Sequence, residues 1–384
     1  MSLDQSYEDL HKLTSLRGKM QELYSNLALR TLAFSCISFF VPIYLLFYIN
    51  LTFETVALFF AIFFTVMAIF SPIALVIAQR IGLKNAVIIS LPFSILFFMM
   101  LYRMSDGQMF PLWLIALIGG IGESLYFTAL NIDFALNTKK EYRGYNIGVL
   151  DSFFKSSALI GPVFGAGVIV YFGFELLFGL TLLVLMLCLI PALQVRVRRE
   201  KFRISFKRIF SPKNARYMPT FFAYGIMSAA EWFLWPVFVF VALNDIWGVA
   251  LAVALVAFGT AIFVGFLRSA ALKYSLSSFL KAGALIYAIT WILRINCTIA
   301  LDIYALSFLA GLAIVIVHIP FFTDTIERAK ERGVAEFICF REIAVSLGRV
   351  AFFGVILIAL ANSWPVFSTG FAFTAAACLL FLVA

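Results

Sequence analysis

Glu123, Glu231 and His318 each stand near the middle of a long apolar run, and Asp151 with Lys155 and Glu342 with Arg349 interrupt two others. An ionisable group inside a bilayer costs about 2.5–3.5 kcal/mol even on the lenient insertion scale, so a chain that keeps one there uses it or neutralises it. A carboxyl in a low-dielectric cavity resists ionisation, which suits it to taking up and releasing a proton. The alternative use is structural, a neutral group hydrogen-bonded between helices. At 100° per residue Thr220, Tyr224, Ser228, Glu231 and Trp235 share one face of a helix, as do Tyr304, Ser307, Gly311, His318 and Thr325 of another. Such polar stripes fit a wet cavity. Asp151 and Lys155 are four apart, acid first, the favourable order for a pair on one face. Glu342 and Arg349 are seven apart on one face, with Arg341 and Glu336 nearer the helix start. Arg30 and Asp133 lie near enough to span ends to snorkel, and Arg294 falls in the far half of its span.

The elements that must position these groups follow from composition. Of 384 residues, 63% are hydrophobic and 13% charged, and mean hydropathy is +1.02; a soluble domain is about 45–50% apolar and about 25% charged. A soluble enzyme, a disordered chain and any sizeable soluble domain are excluded. Spans of roughly 20 apolar residues are predicted at 27–50, 53–79, 84–103, 110–136, 145–171, 174–196, 217–242, 246–268, 278–299, 302–325, 334–361 and 363–384.

The net charge of +9 is one of topology, not of nucleic-acid binding. With the N-terminus inside, 23 of the 29 basic residues fall on cytoplasmic segments, nine of them between Arg196 and Arg216, against Arg103 alone outside. The positive-inside rule then expects a multi-pass protein of the cytoplasmic (inner) membrane with both termini cytoplasmic. Residues 1–26 lack a signal-peptide core and are expected to form a cytoplasmic amphipathic segment, with Leu10, Leu13, Met20, Leu23 and Leu27 at helical spacing. Phe202, Phe206, Ile209 and Phe210 do the same in a basic linker, 197–216, that separates two six-helix bundles at 27–196 and 217–384. All five cysteines lie in apolar runs without CxxC spacing, so neither disulfides nor a metal site is expected.

The two halves resemble each other at an offset of 189 residues: Lys84 falls on Lys273, Gly122 on Gly311, Arg143-Gly144 on Arg332-Gly333, Ser157 on Ser346 and Phe164-Gly165 on Phe353-Gly354. A duplicated six-helix unit is a mark of secondary transporters.

Two motifs add a resemblance. Between the second and third spans Arg80, Gly82 and Lys84 match a loop of the form D-R-x-G-R/K-K, with Gln79 in place of the acid and Leu83 in place of a base. Gly148, Ser157, Gly161-Pro162 and Gly165-Ala166 follow G-x8-G-x3-G-P-x2-G-G, with Ser and Ala for two glycines. In these respects the chain resembles the major facilitator superfamily (MFS), across essentially its whole length. The resemblance implies an all-α membrane fold of twelve helices in two pseudo-symmetric bundles, with Arg80, Gly82, Lys84, Gly161, Pro162 and Gly165 as gating elements. It places spans 1, 4, 7 and 10 around the cavity, which singles out Glu123, Glu231 and His318, with Tyr224 and Trp235, for binding substrate and protons. Spans 5 and 11 would flank the interface, making Asp151, Lys155, Glu342 and Arg349 candidates for salt bridges between bundles. The drug-exporter element of span 4 is incomplete, because Ala116 stands where its arginine would fall ahead of Gly120-Ile121-Gly122.

The function expected is secondary active transport of a small solute by alternating access, as proton-coupled efflux (antiport) of an apolar or cationic compound. The alternatives are a proton-coupled uptake symporter for a sugar, peptide or organic acid, or a lysolipid flippase; Arg341 or Arg349 facing the cavity would favour an anion. A non-transporting sensor and an intramembrane enzyme are the rivals from other classes. No Walker loop, H-E-x-x-H or D-x-D occurs, so no ATP, cofactor, metal or catalytic residue is expected. Partners are the solute, protons and membrane lipids, with no nucleic acid, and the protein is expected to be a monomer.

Overall fold

A computed structural model describes residues 29–108, 110–137, 143–194, 204–270 and 276–383. The amphipathic segment expected in 1–26, and Phe202 of the linker, lie outside these. Ten helices among the described residues are long and apolar enough to span a membrane, and Val366–Leu382 is a shorter apolar helix. One of the ten is two legs in one. Gly173, at φ 87°, breaks the segment Arg143–Gln194, and the contacts on either side run in opposite directions along the first helix. Gly161 lies against Ser35, Phe174 against Tyr44 and Tyr48, and Cys188 within electrostatic reach of Arg30.

Twelve spans result: α1 (Leu29–Tyr48), α2 (Phe53–Ile81), α3 (Leu83–Ser105), α4 (Leu112–Asn137), α5 (143–172), α6 (174–194), α7 (Met218–Leu243), α8 (Ile246–Ala270), α9 (Leu276–Ile295), α10 (Ala300–Arg332), α11 (Val334–Ala361) and α12 (366–383). The turns at Gly82 and Gly333 are single residues, with φ of 97° and 99°, a region that favours glycine. They lie on the same face as the linker, here termed the linker face. On it Arg332 donates to the Lys213 carbonyl, and the Ser205 amide donates to Glu336 at the start of α11.

Packing repeats after six helices. In the first half α4 packs on α2 and α3, and α3 on α6; in the second α10 packs on α8 and α9, and α9 on α12. Gly165 of α5 sits against the Cys36 carbonyl of α1, and Gly348 of α11 against Phe222 and Gly225 of α7, so close that a Cβ would collide with backbone. Cys36 and Gly225 are themselves 189 apart. The halves meet mainly through α2 on α11 and α5 on α8.

Two helices depart from regular α geometry at nearly equivalent places. Tyr44–Tyr48 in α1 and Ala230–Leu234 in α7 are π-helical, each within two residues of a proline, Pro42 or Pro236, which cannot donate the usual bond. The extra residue in such a turn rotates everything after it by about 100°. Pro162, by contrast, leaves α5 unbroken: the only non-helical residue of its segment is Gly173. The glycines beside it serve close packing of α5 on α1.

Candidate functional site

Arg30 and Glu123 form an ion pair between α1 and α4. Arg30 is not at the surface as its snorkelling position suggested; it is 3% exposed. Its guanidinium lies 3.3 Å from the Tyr126 ring centroid and 4.3 Å from that of Phe34, and it donates to Ser94 at 3.4 Å. Only one oxygen of Glu123 is engaged by this arginine.

Across the junction of the halves stand polar groups of the second half. The Tyr224 hydroxyl is 2.9 Å from His318 Nε2, and the Tyr224 ring stacks on Phe321 at 4.5 Å. Arg349 Nε donates to Ser228 at 3.0 Å, with the Phe64 ring of α2 centred 5.0 Å from its guanidinium. Glu123 and Arg349 are near enough for their charges to act on each other. Arg341 pairs with its neighbour Glu342 at 3.2 Å, and Asn131 of α4 donates to Glu342 at 3.0 Å, bridging the halves.

Towards the face opposite the linker, aromatic rings close the junction. Phe60 meets Trp232 at 4.9 Å, Phe233 at 5.4 Å and Phe353 at 5.5 Å, while Phe64 stacks on Phe353 at 5.9 Å. Phe47 packs on Phe240 at 4.7 Å, and Phe53 on Phe233 at 5.8 Å.

Glu231 and Trp235 belong elsewhere. The π-turn at 230–234 splits the stripe expected on α7: Tyr224 and Ser228, before it, face the junction, whereas Glu231 and Trp235 are turned into the second half. Arg294 of α9, wholly buried, holds Glu231 with both terminal nitrogens, at 2.8 and 3.1 Å. The Tyr287 hydroxyl adds a bond of 2.7 Å. The guanidinium lies between Trp235 and Trp291, 3.9 and 4.2 Å from their ring centroids, and Trp235 donates to Ser307 at 3.0 Å. Trp235, 1% exposed, is a core residue.

Of the residues expected to form salt bridges between the halves, Glu342 pairs with Arg341 of its own helix and Arg349 donates to Ser228 of its own half. The side chains of Asp151 and Lys155 lie outside the described residues. Arg80 is exposed and Lys84 half-buried beside the Gly82 turn. All five cysteines are buried and none is in a disulfide. No group of three His, Cys, Asp or Glu among the described residues has metal-site geometry.

Sequence reasoning missed Arg30, Ser94, Tyr126, Asn131 and Phe64. Asn131 carried a usable signal, an amide within an apolar span. Arg30 did not, since its depth depends on where its side chain turns.

Two six-helix halves with charged groups at their junction and an aromatic layer on one side define a multi-pass membrane protein built like a transporter. The chain belongs to the Major Facilitator Superfamily, whose family model matches residues 23–353. Solved structures agree in fold. The human organic anion transporter MFSD10 (TETRAN) superposes with a TM-score of 0.65 at 14% identity, covering 96% of this chain and 99% of that one. A structure of the E. coli fucose:proton symporter FucP gives 0.63 at 14%, covering 94% and 98%. The nucleoside transporter NupG gives 0.64 at 13%, covering 94% and 96%. No protein of curated function matches the sequence.

Proposed function

We propose that the chain moves a small solute across the cytoplasmic membrane by alternating access, driven by protons, with its ends in the cytoplasm and the solute held where the halves meet. The observation that carries this is the Arg30–Glu123 pair of one half set opposite Arg349 of the other, at mid-depth and beside an aromatic closure. Rocking of the halves changes the distance between Glu123 and Arg349, and so the charge that Glu123 feels. Glu123 takes the role of proton carrier, with Tyr224 and His318 in the solute site. Glu231, held by three bonds inside one half, is a fixed structural anion.

Efflux by antiport is the direction that the α5 motif suggests, although its glycines serve packing on α1. Glu123 and Glu231 are both paired with arginine, which speaks against a cationic solute held by their carboxylates. The test is a solute panel assayed for flux in proteoliposomes, with the pH gradient imposed in each direction. Accumulation that follows the gradient and reverses with it is expected. Gradient-independent equilibration of every transported solute would contradict proton coupling.

A further inference from the structure

This inference rests on the transport reading and names the solute. Three cations, Arg30, Arg341 and Arg349, and two carboxylates, Glu123 and Glu342, converge at the junction of the halves. Arg30 and Arg341 each lie within ion-pair distance of a carboxylate. Among the described residues, Arg349 does not. Its Nε is committed to Ser228, while its two terminal nitrogens donate to no group among the described residues, and the residue is half-buried. Two coplanar unspent donors on a half-buried guanidinium match the two oxygens of a carboxylate.

Apolar side chains begin immediately beside that charge, with Phe64 and Phe353 buried and Trp232 half-buried. Phe64 lies against the guanidinium and continues into Phe353 and Trp232, with ring centroids at 5.9 and 6.4 Å. A cation here would meet a net positive cluster. A sugar would leave the charge of Arg349 uncompensated as the site closes and loses water. We propose that the solute is a monocarboxylate with an apolar body, its carboxylate on Arg349 beside the Tyr224 hydroxyl and its body along Phe64 and Trp232.

The test is binding by the purified full chain in detergent, read by tryptophan fluorescence and by melting temperature. The probes are benzoate, hexanoate, tetraphenylphosphonium and glucose. Saturable binding of benzoate and hexanoate is expected, with neither of the other two. Arg349→Gln should weaken it at least about tenfold, and Arg349→Lys, which keeps the charge but loses the planar fork, by less. Phe64→Ala should weaken benzoate binding in protein that remains folded, at some cost in melting temperature because this ring is buried. Should Arg349→Gln fail to fold, Arg349→Lys and Phe64→Ala decide, and undiminished affinity in both overturns the proposal. Failure of both carboxylates to bind, or undiminished binding by a folded Arg349→Gln, also overturns it. Carboxylate binding through Arg349 without flux in vesicles would instead leave this assignment standing and refute the transport reading.

Discussion

Glu123 with Arg30 in one half and Glu231 with Arg294 in the other are both buried acid–arginine pairs with aromatic rings around them, yet the two pairs are set in different surroundings. Glu231 is held by both terminal nitrogens of Arg294 and by Tyr287, and the arginine is stacked between two tryptophans of its own half. Glu123 has one oxygen on Arg30 and lies within electrostatic reach of a second arginine, Arg349, of the other half. The same chemistry can therefore serve as a clamp or as a switch. What decides is whether every partner moves with the acid, or whether one of them belongs to the body that rocks against it.

The largest effect should come from breaking the clamp. Removing one member of a buried ion pair strands the other and costs about 3–5 kcal/mol. Glu231→Gln or Arg294→Gln should therefore lower the melting temperature by many degrees and reduce exchange and accumulation together. Glu231→Gln combined with Arg294→Met should recover part of that stability, because no charge is left stranded. A Glu231→Gln protein with unchanged melting temperature would remove the distinction between the pairs.

A smaller effect is expected at the turn joining α2 and α3. Gly82 sits at φ 97° and is buried, so Gly82→Val adds about 1–3 kcal/mol of backbone strain. Flux should fall severalfold in protein that still inserts. Normal flux from correctly inserted Gly82→Val would take this turn out of the mechanism, and would leave the junction pairs to carry it alone.

The smallest perturbation fixes the direction in which the comparison is drawn. In a cysteine-free background, single cysteines at Lys330, on the linker face, and at Gln108, on the opposite face, should react from the cytoplasmic and the external side respectively. The reverse pattern would invert the topology and place the aromatic closure on the cytoplasmic side.

Much of this architecture was legible because spans are read from apolar length alone. The predicted 334–361 coincides with α11, and the 189-residue repeat reappears in helix packing at Cys36 and Gly225. The site was legible only in part. Tyr224 and His318, expected on facing stripes, do meet. Glu231 and Trp235, expected on the stripe with Tyr224, instead pack within the second half, and an unbroken 100° period cannot register the π-turn of α7 that falls at this point. Arg30 and Arg294 looked marginal because depth along a helix axis does not say where a long side chain reaches. The Glu342 and Arg349 spacing was correct for one face, but a spacing on one helix does not reveal that Ser228 and Asn131 approach from two others.

The central claim, that Glu123 is the switch and Glu231 the clamp, is met most directly by one comparison in proteoliposomes. pH-driven accumulation and solute exchange without a gradient would be measured in the same vesicles for the parent protein and for Glu123→Gln. Glutamine keeps the shape and a hydrogen-bonding group but carries no titratable proton. The account predicts that exchange persists at a comparable rate while accumulation falls to the level set by equilibration. Undiminished accumulation by Glu123→Gln would contradict it.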